Sequence, residues 1–126
     1  MEKLDPAAWG IKVLKSENKQ GLSRTPGVIH QGQNSGYQAI GLAYGELKAE
    51  RILLLGYDMQ TDGDKRHWFG AHPKGLEVGS SYPCFIRMFQ TIDPKDYGIE
   101  IWNVTRKTAL HHFPLHDLDE VCQILS

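Results

Sequence analysis

Two histidines and two large aromatic residues fall within seven positions of one polar stretch, His67-Trp68-Phe69-Gly70-Ala71-His72-Pro73. Imidazole titrates near neutral pH, so either His67 or His72 could serve as a general base or contact a phosphate group. The pattern therefore predicts a functional loop. A surface loop that Trp68 and Phe69 pin to the domain, with both histidines in solvent, is the alternative interpretation.

A second candidate site is the segment Asn34-Ser35-Gly36, which precedes a stretch with helical spacing. A helix N-terminus offers free amide groups and a positive dipole end, and a glycine lets a phosphate or carboxylate approach the backbone. The segment therefore predicts an anion-binding turn. An ordinary N-cap, in which the side chain of Asn34 or Ser35 accepts from the first free amides, accounts for the same residues.

A third candidate is Gly56-Tyr57-Asp58, which follows the apolar run Ile52 to Leu55. Ligands of parallel sheets bind at the carboxyl edge, and an Asp directly after a buried strand lies at that edge. Gly56 and Asp58 are therefore predicted to line a ligand site. A turn capped by Asp58 is the alternative.

Metal binding is a weaker hypothesis for these residues. A zinc ion could be held by His67, His72 and Asp58, but their spacing matches no standard zinc motif. Cys84 and Cys122 are far apart and lack metal-type spacing, so both are predicted to be buried thiols in a reducing cytoplasm. No metal and no cofactor is predicted.

The candidate segments lie within a pattern of short strands and helices. Helical spacing of Tyr37, Ile40, Tyr44 and Leu47 predicts a helix over 37–48, and the run 52–55 predicts a strand buried on both faces. The other predicted elements are strands at 11–14, 28–30 and 98–104 and helices at 82–91 and 117–125. The sum predicts a single α/β domain over residues 1–126, three-layered and Rossmann-like, with a mostly parallel sheet and helices on both faces.

Composition narrows the function classes. The 126 residues carry 14 Lys+Arg and 15 Asp+Glu, a net charge of -1, with 40% hydrophobic and 23% charged residues. This near-balance argues against a general nucleic-acid or membrane-surface binder. Because no apolar run approaches the length of a membrane span and the N-terminus lacks the core of a signal peptide, the expected location is the cytoplasm.

The order of three motifs resembles a known group of proteins. Residues 34–40, 52–59 and 67–73 are similar to a family of uncharacterised phage and prophage proteins and, more distantly, to the bacterial sialyltransferases that use CMP-sialic acid. Those enzymes have a Thr-Ser-Gly before a helix, a strand that ends in Gly-x-Asp, and a later His-aromatic-x-Gly-His segment. Thr105 to Leu110 is similar to the Pro-x-Ser-x-Leu type turn that follows their next strand.

The resemblance implies a nucleotide-sugar site at the carboxyl end of the sheet. The turn before the helix would contact the donor's carboxylate or phosphate, and the segment after the strand would lie along the nucleotide or sugar. By motif order His67 would be the base that deprotonates an acceptor hydroxyl, and His72 is the other candidate. The predicted ligand-binding residues are Asn34, Ser35, Gly36, Gly56, Asp58 and Trp68.

Three functions follow as alternatives. The first is a nucleotide-sugar-binding, glycosyltransferase-like protein, either an active sialyltransferase-like enzyme or an inactive remnant. The second is a non-catalytic binding or assembly protein of phage or mobile-element origin. The similar enzymes carry a Gly-x-Gly-Pro-Ser type loop that is missing before Ile11, so the fold is predicted to be truncated there and to expose a sheet edge. A homodimer or a partner chain is expected to cover it, with Trp9, Ile11 and Val13 at the contact. A metal-dependent hydrolase is a third option.

Overall fold

The computed structural model describes residues 3–61 and 82–126. Within these ranges, no helix combines the length and the apolar character needed to cross a membrane. The helices are α1 (Ser35–Gly45), α2 (Tyr82–Phe89) and α3 (Leu118–Leu125), and the strands are β1 (Lys15–Glu17), β2 (Val28–His30), β3 (Arg51–Leu54) and β4 (Glu100–Asn103). Short 3-10 helices span Pro6–Trp9 and Pro94–Tyr97.

The described strands form two separate sheets of two parallel strands each. β1 pairs with β2, and β3 pairs with β4 so that Arg51 lies opposite Glu100 and Leu54 opposite Asn103. An isolated parallel bridge between Asn103 and Leu115 adds a short contact beside β4. The carboxyl ends of β3 and β4 therefore lie side by side.

The predicted three-layer, Rossmann-like sheet is wrong. Instead of one sheet covered by helices on both faces, the described residues contain four short strands in two sheets. β3 shows the reason, because only Ile52 and Leu54 are buried, while Leu53 is half-buried and Arg51 exposed. On that outer face the Arg51 guanidinium lies 4.3 Å from the ring centroid of Trp102, where the prediction required a helix.

The remaining elements differ from the prediction mainly at the N-terminal end. Residues 11–14 form no strand, since the strand begins at Lys15. The helix predicted over 37–48 begins at Ser35 and ends at Gly45, so Leu47, 72% exposed, lies outside it. The predicted strand at 28–30 is present with the same bounds, and the strand around 98–104 and the helices around 82–91 and 117–125 are present with slightly shorter bounds.

One core cluster connects the second sheet with α1 and α2. Phe89 is fully buried, and its ring centroid lies 6.0 Å from that of Tyr37, 5.8 Å from Tyr57 and 6.3 Å from Phe113. Burial of one such aromatic side chain contributes about 1.5–3 kcal/mol to stability. The other buried members of the cluster are Leu22, Ile40, Ile52, Leu54, Ile92, Ile101 and Leu110. The cluster fixes α1 and the end of β3 relative to each other.

Candidate functional site

The last residue of β4, Asn103, holds the following turn closed. Its side chain is fully buried, and its amide group donates to the Leu110 carbonyl at 3.0 Å and to the Thr108 hydroxyl at 3.3 Å. Its amide oxygen accepts from the Thr105 backbone N–H at 3.1 Å. The amide group of Asn103 therefore bonds to both ends of the turn over residues 104–110.

The same turn is hydrogen-bonded to the segment that follows β3. The Thr105 hydroxyl accepts from the Tyr57 backbone N–H at 2.9 Å, and the Thr108 hydroxyl donates to the Tyr57 carbonyl. The Ala109 N–H donates to the Asp58 carbonyl at 2.8 Å. Because both segments leave parallel strands at one edge, these bonds build a rigid wall at the carboxyl end of the sheet.

A cleft of ≈ 390 Å³ lies at this edge. Its volume is within the usual range of small-molecule sites. The exposed carboxylate of Asp58 and the exposed guanidinium of Arg106 both lie on it, and neither has a hydrogen-bond or ion-pair partner among the described residues. The described lining residues are Leu55, Gly56, Asp58, Gln60, Thr61, Thr105, Arg106 and Lys107.

A second cleft, of ≈ 670 Å³, adjoins the first. On its far side the Asp117 carboxylate caps α3 by accepting from the backbone N–H of Asp119 at 3.0 Å and of Glu120 at 3.2 Å. The His116 ring lies 4.4 Å from that of Trp102, centroid to centroid. The described lining residues are Gln60, Val104, Thr105, Arg106, Lys107, Thr108, His111, Leu115, His116, Asp117, Leu118 and Asp119.

The start of α1 is built as a helix cap packed against Tyr57. The Asn34 side chain accepts from the Tyr37 N–H at 2.8 Å and donates to the Gly32 carbonyl at 3.0 Å. A Cβ on Gly36 would lie 2.9 Å from the Tyr57 ring, whose hydroxyl donates to the Gly36 carbonyl at 2.8 Å. The glycine therefore admits a tyrosine ring, which supports the N-cap interpretation over an anion site.

Tyr57 joins this cap to the first cleft. Its backbone is bonded to the turn after β4, and its ring lies between Gly36 and Phe89. Burial raises the pKa of the Tyr57 phenol above its usual range. The hydroxyl therefore stays protonated at neutral pH and keeps its role as a donor.

The predicted site residues are only partly brought together. Gly56 and Asp58 line the first cleft, whereas Asn34, Ser35 and Gly36 are connected to it through Tyr57 and are not among the described residues that line it. The predicted residues His67, Trp68 and His72 lie outside the described residues. Their catalytic and binding roles, and the zinc hypothesis that uses both histidines, stay predictions.

Arg106 and Lys107 line the first cleft, although no motif in the sequence points to them. A signal is present in the sequence, because both basic residues lie within four positions of the end of β4, a strand that the sequence predicts. Parallel strands end at the same edge of a sheet, so residues after the fourth strand could have been placed beside Gly56 and Asp58. Which strands pair was not evident from the sequence, and the inference depended on that pairing.

Comparisons with known proteins assign no family to the chain. No protein-family model, curated protein or solved structure matches it. The similarity to phage proteins and sialyltransferases stays a prediction from the three motifs. Among residues 3–61 and 82–126, no three His, Cys, Asp or Glu side chains form a group that could hold a metal ion.

Proposed function

We propose that this protein binds a nucleotide or nucleotide-sugar in the first cleft. The observation that carries the proposal is the position of Arg106 and Lys107 on a turn that is hydrogen-bonded to the segment of Gly56 and Asp58. Arginine and lysine are the usual partners of phosphate oxygens. The Asp58 carboxylate can accept hydrogen bonds from hydroxyl groups of the transferred sugar.

The same arrangement suits a glycosyltransferase-like reaction. The leaving group of such a reaction is a phosphate, and fixed cations next to it stabilise the negative charge that develops on its oxygens. Arg106 and Lys107 would supply these cations. The general base that removes the acceptor proton would be His67 or His72, a role that rests on the sequence motif alone.

Calorimetric titration with CMP, CDP, UMP and their sugar conjugates tests the proposal. We expect binding by the wild-type protein and at least a tenfold loss in Arg106→Ala/Lys107→Ala, because one charged hydrogen bond contributes about 1.5–3 kcal/mol. The matched control is Arg87→Ala/Lys95→Ala, which removes two exposed cations outside both clefts. No heat at millimolar ligand, or equal affinity in both variants, contradicts the proposal.

A second candidate, a homodimer that acts in assembly, is supported by the N-terminal segment. Trp9, Ile11 and Val13 are 75%, 58% and 70% exposed, and Lys12 between them pairs with Glu46 at 2.7 Å. Solvent-exposed apolar side chains at alternating positions favour a contact with a second copy. Sedimentation should give a dimer that dissociates in Trp9→Ser/Ile11→Ser, and a wild-type monomer at high concentration would exclude it.

The two cysteines support a cytoplasmic location for the proposed activity. Cys84 is half-buried and Cys122 exposed, and neither forms a disulfide. Free thiols are typical of proteins in reducing compartments.

A further inference from the structure

We propose that the two adjoining clefts form one site for a ligand of two parts joined by a phosphate or pyrophosphate group. The joining group would lie on the turn of Arg106 and Lys107, with one part of the ligand in each cleft. This inference rests on the function proposed for the first cleft and adds the second cleft as the compartment of the nucleobase.

The clefts share one wall. Gln60, Thr105, Arg106 and Lys107 line both of them. A ligand in either cleft therefore meets the same two cations. With volumes of ≈ 390 and ≈ 670 Å³, each cleft is also larger than a phosphate group alone requires. A basic wall between two roomy compartments fits an anionic linker with a group on either side.

The two compartments differ in chemistry. The first offers the exposed Asp58 carboxylate and the Thr61 hydroxyl, which suit a sugar rich in hydroxyl groups. The second combines apolar side chains, including Leu118, with the imidazoles of His111 and His116. Planar rings bind to such surfaces by stacking and apolar contact. We therefore place the sugar in the first compartment and the nucleobase in the second.

His116 is held in place for this contact. Its ring lies 4.4 Å from the Trp102 ring, centroid to centroid, and its backbone N–H donates to the Asn103 carbonyl at 3.0 Å. The side chain of Asn103 also closes the turn that carries Arg106. One buried residue therefore bonds to both the basic turn and the backbone of the proposed base-stacking residue.

Charge directs the linker to the shared wall. The far side of the second cleft carries the Asp117 and Asp119 carboxylates, which repel an anion. The Asp117 carboxylate also accepts hydrogen bonds from the backbone N–H groups of Asp119 and Glu120, so these two groups at the start of α3 already have an acceptor. Among the described residues, Arg106 and Lys107 are the lysine and arginine side chains on the wall that a phosphate between the clefts would meet.

Titration of a whole nucleotide-sugar against its two halves tests the inference. The probes are UDP-glucose with its halves UMP and glucose 1-phosphate, and CMP-sialic acid with its halves CMP and sialic acid. We expect at least one conjugate to bind tenfold or more tightly than either of its halves. His116→Ala should weaken the nucleotide and the conjugate at least fivefold and leave the sugar phosphate unchanged.

Asp58→Asn should give the opposite pattern, weakening the sugar phosphate and the conjugate but not the nucleotide. Asp96→Asn, a change at an exposed aspartate outside both clefts, is the control, and thermal unfolding checks that each variant is folded. A conjugate that binds no more tightly than its nucleotide overturns the two-compartment site. The proposed function survives that result if nucleotide binding still requires Arg106 and Lys107, whereas absence of all binding overturns both.

Discussion

At the scale of single residues, both clefts depend on Asn103. It is fully buried and bonds to the Thr105 N–H, the Thr108 hydroxyl and the Leu110 carbonyl. A buried polar group that loses its hydrogen-bond partner lowers the stability of the folded protein by about 1–3 kcal/mol. Asn103→Ala should lower the free energy of unfolding in urea by about that amount and also weaken nucleotide binding.

The control for this prediction is Asn18→Ala, at an exposed loop position. Surface changes of this kind are usually within about 0.5 kcal/mol of wild type. If Asn103→Ala unfolds at the same urea concentration as Asn18→Ala, the turn is not held by this side chain.

Two glycines of α1 should respond in opposite ways to alanine. In Gly36→Ala the new Cβ would lie 2.9 Å from the Tyr57 ring, which its own hydrogen bond holds in place, so stability should fall. In Gly45→Ala the nearest contact is 3.8 Å, so the better helix propensity of alanine should raise stability by up to about 1 kcal/mol.

Thermal unfolding of both glycine variants provides the measurement. A Tyr57→Leu background, in which the ring is gone, should remove most of the penalty of Gly36→Ala. Equal shifts in the two single variants would show that the ring does not restrict the start of the helix.

Tyr57 should also make the protein sensitive to alkali. Burial raises the pKa of the Tyr57 phenol in the folded protein, so folding disfavours the phenolate. This contribution is fully present below about pH 10, the pKa of an unfolded tyrosine, and is lost as the pH rises through the higher folded value. Tyr57→Phe cannot ionise, so it should lose less stability than wild type between pH 8 and pH 11 in urea unfolding. Burial also raises the pKa of Tyr37, but this tyrosine is present in both proteins and affects them equally. Equal losses of stability in the two proteins would therefore exclude Tyr57 as a cause of the alkali sensitivity.

At the scale of elements, local sequence patterns predict where the helices and strands lie, but they do not predict which strands pair. Helices α2 and α3 and strands β3 and β4 were predicted close to their observed bounds, because apolar spacing and capping residues act within each segment. The number of strands in each sheet depends on contacts between distant segments. The apolar run around Leu53 is compatible with burial on one face or both, and the Arg51–Trp102 contact that covers its outer side is not visible in local spacing.

In the candidate site, too, some features follow from neighbouring residues and others from contacts between distant residues. The capping role of Asn34, which is the alternative interpretation of its segment, and the predicted position of Asp58 after a strand both follow from neighbouring residues. The placement of Arg106 beside Asp58 depends on bonds between residues about fifty positions apart, such as the one from the Tyr57 N–H to Thr105. No local pattern specifies such a bond.

The chain should tolerate a charge directly after strand β3 but not at the last residue of the strand. Leu54 is 1% exposed and Leu55 is 65% exposed. Leu54→Asp would bury an unpaired carboxylate and should unfold the protein, whereas Leu55→Asp should remain folded. Circular dichroism and thermal unfolding would distinguish the two. A cooperatively melting Leu54→Asp protein would show that this strand is not central to the core.

At the scale of the whole molecule, the core and the first cleft are parts of one arrangement. Phe89 packs against Tyr37 of α1, Phe113 and Tyr57, and the backbone of Tyr57 is bonded to the turn that carries the cations. The backbone at Tyr57 and the turn after β4 are therefore held together without a ligand. Preorganisation of this kind reduces the ordering cost of binding.

NMR titration of the ¹⁵N-labelled protein with CMP and a CMP-sugar tests the central claim most directly, because each backbone amide reports its own surroundings. The account predicts that the largest shifts occur at amides of residues 56–61 and 104–118, which line the two clefts, and that Arg106→Ala/Lys107→Ala abolishes them. Shifts confined to other parts of the chain, or no shifts at millimolar ligand, would contradict the proposal that this cleft binds a nucleotide.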